Sequence, residues 1–104
     1  LLQAIAPLQL AYLHVIRLPS GPVDNLALAA AHFNGPLIVN DSYNKQEAEQ
    51  VIAAGQASAV SFGRAFIANP DLVARMKNGT PLAAMNGDAL YSPGAAGYTD
   101  YPNA

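Results

Sequence analysis

The chain has 104 residues, of which 52% are hydrophobic and only 12% are charged, and its formal net charge is −2. Five scattered Lys and Arg residues form no basic patch, which argues against a nucleic-acid partner. The absence of cysteine excludes disulfides and thiolate chemistry. No apolar run approaches the roughly 20 residues of a membrane span, so we expect no membrane partner and, by default, a cytoplasmic location. The low charge and the missing initiator Met indicate a piece of a longer protein.

Apolar patterning predicts helices that alternate with short strands. A continuous apolar run such as residues 10–16 is typical of a strand in a parallel sheet that is buried on both faces. The predicted elements, in order, are a helix end before Pro7, a strand over 10–16, a helix from Pro22–Val23, a strand over 37–40, a helix after Asn44, a strand over 59–62 and a helix from Pro70 to Gly79.

Helix boundaries have recognisable signals. Asn44, with Glu47 three residues later, resembles a capping box, and Gly55 suits the position just after a helix. In the last helix, Asn69 is the predicted N-cap and Pro70 the first helical residue. The predicted inward-facing residues are Ala48, Val51 and Ile52 in the middle helix and Leu72, Val73 and Met76 in the last one. Arg75 and Lys77 suit the dipole at its C-terminal end.

This alternation predicts right-handed βαβ units and an α/β fold with a parallel sheet. Three strands cannot close a barrel, so the chain is either the last three βα units of a (β/α)₈ TIM barrel or part of a doubly wound domain. We expect a partial barrel over residues 1–79 and a C-terminal tail over 80–104 that packs on it. The barrel interpretation places the two loops at Asp41–Tyr43 and Gly63–Arg64 where TIM barrels commonly bind phosphate.

The Gly63–Arg64 turn is the strongest candidate for an anion site. It follows an apolar strand and precedes a helix, and a guanidinium beside a small residue can hold a phosphate. A structural alternative is a βα turn whose glycine serves only geometry and whose arginine is solvated.

Two C-terminal motifs resemble the end of Old Yellow Enzyme-type flavin oxidoreductases. They are the runs at residues 61–73, SFGRAFIANPDLV, and 97–102, GYTDYP. The strands at residues 11–15 and 35–39 are similar to the sixth and seventh barrel strands of that family. The resemblance implies a TIM barrel that carries FMN, takes hydride from NADH or NADPH and reduces activated alkenes such as enones.

The resemblance also implies roles for four residues. Gly63 and Arg64 match positions that hold the FMN phosphate through a backbone N–H and a guanidinium. Ser42 matches a loop position whose backbone approaches the same phosphate, and Tyr91 matches an aromatic position on the substrate side of the flavin. No catalytic residue of the family maps onto this chain, because those residues belong to earlier barrel units.

One departure from the family pattern affects the expected phosphate site. The family usually has one or two glycines where this chain has Asp41–Ser42, and a carboxylate near a phosphate is unfavourable unless it points away. Two alternatives therefore stay open: a phosphate-binding segment of another TIM-barrel enzyme, and an inactive truncated remnant.

The remaining polar residues favour structural roles. We expect His14 to be a buried histidine satisfied by a neighbour, and His32 to be structural at a helix end. Two distant histidines without cysteine give no support to a metal site. Asp71 suits the first turn of a helix better than a carboxylate pair with Asp41, and Ser61 has no triad partners in order. Tyr98 and Tyr101 are expected to pack the tail against the barrel.

Overall fold

The computed structural model describes residues 1–18, 21–88 and 91–104 and contains a sheet of three parallel strands in the order β1-β2-β3. The chain divides into two compact units, Leu1–Ser61 and Phe62–Ala104. The predicted division at residue 79 stays a prediction. The elements are α1 (Leu2–Ile5), a 3₁₀ turn (Ala6–Leu8), β1 (Leu13–Ile16), α2 (Asn25–His32), β2 (Leu37–Asn40), α3 (Lys45–Ala53), β3 (Ala59–Val60), α4 (Arg64–Ala68) and α5 (Leu72–Asn78).

The sheet of the first unit packs one face against its helices. Leu13 pairs with Leu37 and Ile38 pairs with Ala59, so all three strands run in the same direction. The core joins residues of α2 and β2 with Leu13 and Val15 of β1. Strand β1 is shorter than predicted and is not buried on both faces, since His14 and Ile16 on its other face are exposed.

Side-chain caps fix the start of both longer helices in this unit. Asp24 caps α2 by accepting from the Ala27 N–H at 3.0 Å, so the predicted start at Pro22–Val23 was too early. Asn44 accepts from the Glu47 N–H at 2.8 Å, which confirms the predicted cap of α3. Each cap satisfies an amide that the helix itself leaves without a partner.

The end and the buried stripe of α3 follow the sequence in part. Gly55 follows this helix with a φ of +74°, as predicted for a residue in the left-handed region. Ala48 and Val51 are buried as predicted, whereas Ile52 is largely exposed.

The second unit begins differently from the prediction. Helix α4 forms directly after Gly63, and α5 begins at Leu72 with Asp71 at its N-cap position. The predicted cap, Asn69, is completely buried and instead bonds the tail. It donates to the carbonyls of Ala65 and Ala83 at 2.9 and 3.1 Å and accepts from the Ala83 N–H at 2.7 Å. The amide thus fastens residue 83 to the end of α4, because a buried amide must find partners.

Arg75 holds the rest of the tail. It is buried, and its Nε donates to Asp71 Oδ1 at 2.8 Å while its two Nη atoms donate to the carbonyls of Pro81 and Pro102, both at 3.2 Å. The Ala104 N–H donates to Asp71 Oδ2, and this bond, followed by the one from Arg75, lowers the pKa of that carboxyl. Arg75 lies in the last turn of α5, as predicted for a residue that complements the helix dipole, and its side chain also binds specific tail carbonyls.

The tail itself is irregular. Its described residues, 80–88 and 91–104, form no helix or strand. Within the tail, the Tyr101 hydroxyl accepts from the Asn86 N–H at 2.6 Å, and Tyr98 is half exposed. The predicted packing of both tyrosines against the barrel stays a prediction. No helix in the described part of the chain has the length and apolarity to cross a membrane.

Leu72 and Val73 offer a matched test of the second core. Leu72 is 1% exposed and Val73 is 67% exposed, so the predicted inward position of Val73 was wrong. We expect Leu72→Ala to lower the free energy of unfolding by about 2–5 kcal/mol, because it removes buried methyl groups and leaves a cavity. Val73→Ala is expected to change it by less than about 0.5 kcal/mol. Urea unfolding of both variants measures this difference, and equal losses would contradict the assignment.

Candidate functional site

The loop after β2 has an unusual backbone. Asp41 and Ser42 follow the strand with φ angles of +85° and +59°. L-residues in this left-handed region cost free energy, and glycine is the residue that adopts it freely. The family that the chain resembles usually has one or two glycines at these two positions. The backbone here has the conformation that glycine favours.

The side chain of Arg17 stabilises this loop. Its Nη2 donates to the Ser42 carbonyl at 2.7 Å and its Nε donates to the Asp41 carbonyl at 3.3 Å. The third donor, Nη1, is 2.7 Å from Glu47 Oε2 in the first turn of α3. One guanidinium therefore joins the end of β1 to the loop and to the next helix.

Two further contacts complete the arrangement around Arg17. The guanidinium carbon lies 3.9 Å from the centroid of the Tyr43 ring, within the range of a cation–π interaction. The hydrogen bond from Arg17 is the first cause that lowers the pKa of Glu47, so this carboxyl is ionised at neutral pH. The guanidinium thus has partners around its edge and one on its face.

A second polar cluster links the three strands. The Asn40 amide donates to the carbonyl and hydroxyl oxygens of Ser61 at 2.7 and 2.8 Å. His14 Nε2 shares a hydrogen bond of 2.8 Å with the same hydroxyl. His14 is therefore satisfied by a neighbour as predicted, but it is exposed rather than buried.

The Gly63–Arg64 segment belongs to the second unit. Both residues are exposed, and Gly63 precedes α4 with its carbonyl accepting from the Phe66 and Ile67 N–H groups at 3.0 and 3.1 Å. Gly63 has a φ of −96°, and a Cβ atom added to it would meet no atom of the described residues within 4 Å, apart from its two chain neighbours. Neither the backbone conformation nor packing against these described residues requires a glycine here.

The other predicted site positions are more scattered. The Tyr91 side chain is 93% exposed in the tail of the second unit. Ser42 lies in the loop of the first unit, as described above. The roles assigned to these residues and to the Gly63–Arg64 pair stay predictions. Among the described residues, no group of three or more His, Asp or Glu side chains could hold a metal ion.

Sequence reasoning missed Arg17, whose side chain binds two carbonyls of this loop. Its position directly after β1 was a usable signal, because side chains that follow neighbouring parallel strands lie at the same edge of the sheet. The partners on the loop are backbone carbonyls, and these have no signature in the sequence.

Comparison with known proteins identifies the class of this chain. The sequence model of the NADH:flavin oxidoreductase / NADH oxidase family matches residues 5–83. The solved old yellow enzyme from Trypanosoma cruzi is 40% identical with a TM-score of 0.89 over 97% of this chain, and morphinone reductase in complex with tetrahydroNAD is 34% identical with a TM-score of 0.85 over 98%. Both are TIM-barrel enzymes, and the match covers 28% of each. The chain belongs to the Old Yellow Enzyme family, as its motifs predicted.

Curated relatives agree with this family. A probable flavin mononucleotide-dependent alkene reductase from Leishmania infantum is 42% identical over 74 residues, which are 71% of this chain and 20% of the relative. A 12-oxophytodienoate reductase-like protein from Solanum lycopersicum is 38% identical over 100 residues, 94% of this chain and 28% of the relative. The chain thus spans between a fifth and little more than a quarter of the length of these proteins.

The left-handed loop gives a direct test. We expect Ser42→Val to lower the free energy of unfolding by about 1 kcal/mol or more, because a β-branched residue tolerates positive φ poorly. Ser42→Gly should leave stability unchanged or raise it. Ser58→Val is the matched control, since Ser58 is also exposed and has no positive φ. Thermal unfolding of the three variants checks this, and equal effects of valine at both serines would contradict the backbone assignment.

Proposed function

We propose that this chain forms the last three βα units and the tail of an FMN-dependent NAD(P)H oxidoreductase that reduces activated alkenes such as enones. Its contribution is the binding site for the FMN phosphate. The observation that carries this proposal is the exposed Gly63–Arg64 pair that follows β3 in a member of the Old Yellow Enzyme family. The cytoplasmic location stays a prediction.

The Gly63 backbone fits a phosphate ligand. Beyond its two chain neighbours, no atom in residues 1–18, 21–88 and 91–104 lies within 4 Å of the position where a Cβ would be, and the φ of −96° suits any residue. A glycine without a conformational or packing reason is explained when a ligand comes close to the backbone. The exposed Arg64 side chain, one residue later, carries the planar guanidinium that binds phosphate through two parallel hydrogen bonds.

Ser42 is the proposed contribution of the first unit. Its backbone, rather than its hydroxyl, is assigned to the phosphate, and the loop conformation with φ of +59° is compatible with this role. The serine side chain adds no charge. The carboxylate of Asp41 is the element that opposes an anion, and it weakens phosphate binding to the extent that it faces the ligand.

Bound FMN would supply the chemistry of the reaction, accepting hydride from NADH or NADPH and passing it to the alkene. The residues of this chain would bind and orient that group from its phosphate end. Tyr91, with its highly exposed ring, is assigned to the substrate side of the flavin. We assign no catalytic residue to residues 1–104.

Relatives support the alkene substrate class and the nicotinamide donor. One relative is named as a flavin mononucleotide-dependent alkene reductase, and others are named as 12-oxophytodienoate reductases. Morphinone reductase has been solved with tetrahydroNAD. These names describe those proteins, and we extend their chemistry to this chain on the basis of the shared family.

Removal of the Arg64 guanidinium tests the proposed function. The complete natural polypeptide that contains residues 1–104 should purify yellow or take up added FMN, and it should oxidise NADH or NADPH when an enone is present. Arg64→Ala should weaken FMN binding by about 10- to 100-fold, since a charge-assisted hydrogen bond contributes about 1.5–3 kcal/mol. Titration of flavin fluorescence measures the affinity.

Lys77→Ala is the matched control for Arg64, because it removes an exposed positive charge elsewhere in the second unit. It should leave FMN affinity unchanged. A protein that binds no FMN contradicts the proposal, and a protein that binds a sugar phosphate instead belongs with other phosphate-binding barrels.

Gly63→Ala separates ligand contact from folding. The added methyl group has open space and an ordinary φ, so stability should change by less than about 0.5 kcal/mol. FMN affinity should nevertheless fall, because the methyl group would occupy the space of a phosphate held against the backbone. Gly79→Ala is the converse control: with a φ of +72° it should lose about 1 kcal/mol of stability and keep its FMN affinity. Unchanged FMN affinity in Gly63→Ala would refute the assigned contact.

A further inference from the structure

We propose that Arg17 is a positioning residue for phosphate binding, which acts by fixing the peptide groups of the loop after β2. This inference rests on the proposed function, because it concerns the same FMN phosphate. Arg17 lies in the first unit and is not itself assigned to the ligand. Its effect is transmitted through the backbone at Ser42.

The hydrogen bonds of Arg17 determine the direction of two peptide groups. The guanidinium binds the carbonyl oxygens of Asp41 and Ser42 at 3.3 and 2.7 Å. In a planar trans peptide, the C=O and the following N–H point in opposite directions. The N–H groups of Ser42 and Tyr43 therefore point away from the guanidinium, as two donors on the opposite side of the loop.

These two donors are available to a ligand. Neither the Ser42 nor the Tyr43 N–H donates a hydrogen bond to another group in the described ranges 1–18, 21–88 and 91–104. Successive backbone N–H groups in a turn with left-handed residues form concavities that bind anions. Ser42 and the preceding Asp41 both have positive φ angles in this turn.

The loop needs the stabilisation that Arg17 supplies. Two consecutive non-glycine residues with positive φ are unfavourable relative to ordinary conformations. Hydrogen bonds from a charged donor are stronger than those from a neutral one, and two of them act on this loop to offset that cost. Without the guanidinium, the chain would favour conformations in which these peptide planes rotate and the two N–H groups no longer lie on the same side of the loop.

Arg17 is itself held firmly in place. Its backbone N–H donates to the Asn40 carbonyl at 2.9 Å, which continues the pairing of β1 with β2. Glu47 Oε2 lies 2.7 Å from Nη1, and the Tyr43 ring lies against the face of the guanidinium. A lysine also has three donors, but they lie on one nitrogen and form no planar fork that reaches both carbonyls and the carboxylate together.

Comparison of FMN with riboflavin tests this role, because the two ligands differ only in the phosphate. In the complete natural polypeptide, Arg17→Ala should raise the Kd for FMN about tenfold or more, in line with the loss of one charge-assisted hydrogen bond. The Kd for riboflavin should change less than about twofold, because the substitution leaves the contacts of the flavin ring unchanged. Arg17→Lys should restore part of the FMN affinity. Titration of flavin fluorescence with the apoprotein measures both constants.

Lys45→Ala and Glu47→Ala are the controls for charge and for the anchor of the guanidinium. Lys45 lies three residues after Ser42 and pairs with Glu49 at 3.8 Å, so its removal changes the charge equally without touching the loop carbonyls. It should leave the ratio of the two affinities unchanged. Glu47→Ala removes one partner that holds Arg17 in place. It should reduce the preference for FMN over riboflavin by less than Arg17→Ala does.

The possible outcomes separate the two proposals. If the natural protein prefers FMN to riboflavin and Arg17→Ala keeps that preference, the positioning role is overturned while the phosphate site stands. If Arg17→Ala weakens the binding of FMN and of riboflavin equally, or if the variant misfolds and binds neither, the arginine has only a structural role. This outcome also overturns the positioning role. If the natural protein shows no preference for FMN, the phosphate site and the positioning role fail together.

Discussion

Parallel pairing of β1, β2 and β3 is the constraint on which the first unit depends. Because the strands run in one direction, the residues that follow them gather at one edge of the sheet. Arg17 comes after β1, the Asp41–Ser42 loop after β2 and Ser61 after β3. Arg17 can therefore bind a loop that lies about 25 residues further along the chain, because both segments end at the same edge of the sheet. Apolar contacts between α2 and one face of the sheet keep β1 and β2 in place.

Arg17 and Arg75 each donate hydrogen bonds to backbone carbonyls as well as to a side chain. Arg17 binds two carbonyls of a loop in the first unit, and Arg75 binds two carbonyls of the tail in the second. Each is also paired with a carboxylate at 2.7–2.8 Å. The carboxylate fixes the direction of the guanidinium. The remaining N–H groups of the guanidinium then bind carbonyls of irregular segments, which do not form the regular hydrogen bonds of a helix or sheet.

Local signals in the sequence predicted much of this fold. The cap at Asn44 and the left-handed residues at Gly55 and Gly79 lie where the sequence places them, because a single side chain or a single φ angle determines each. The parallel α/β arrangement followed from the alternation of elements. Family membership followed from two long motifs, and the sequence match confirms it.

The errors share a physical cause. Asn69 was predicted as a cap because its type and spacing are right, but its amide is bound by the distant residue Ala83. Ile52 and Val73 fit a helical stripe, yet they are exposed. In each case a tertiary contact, or its absence, overrides a local preference, and no local pattern carries that information.

The backbone of the Asp41–Ser42 loop connects these observations to function. Glycine at these positions would adopt positive φ without cost, and the loop would need less support from neighbouring side chains. Aspartate and serine impose a conformational cost, and the observed loop combines that cost with a guanidinium bound to the carbonyls of the same two residues. The loop thus has a conformation that favours glycine although neither of its two residues is a glycine. What a phosphate site needs from such a loop is the direction of its N–H groups, and that direction depends on the peptide planes rather than on side-chain identity.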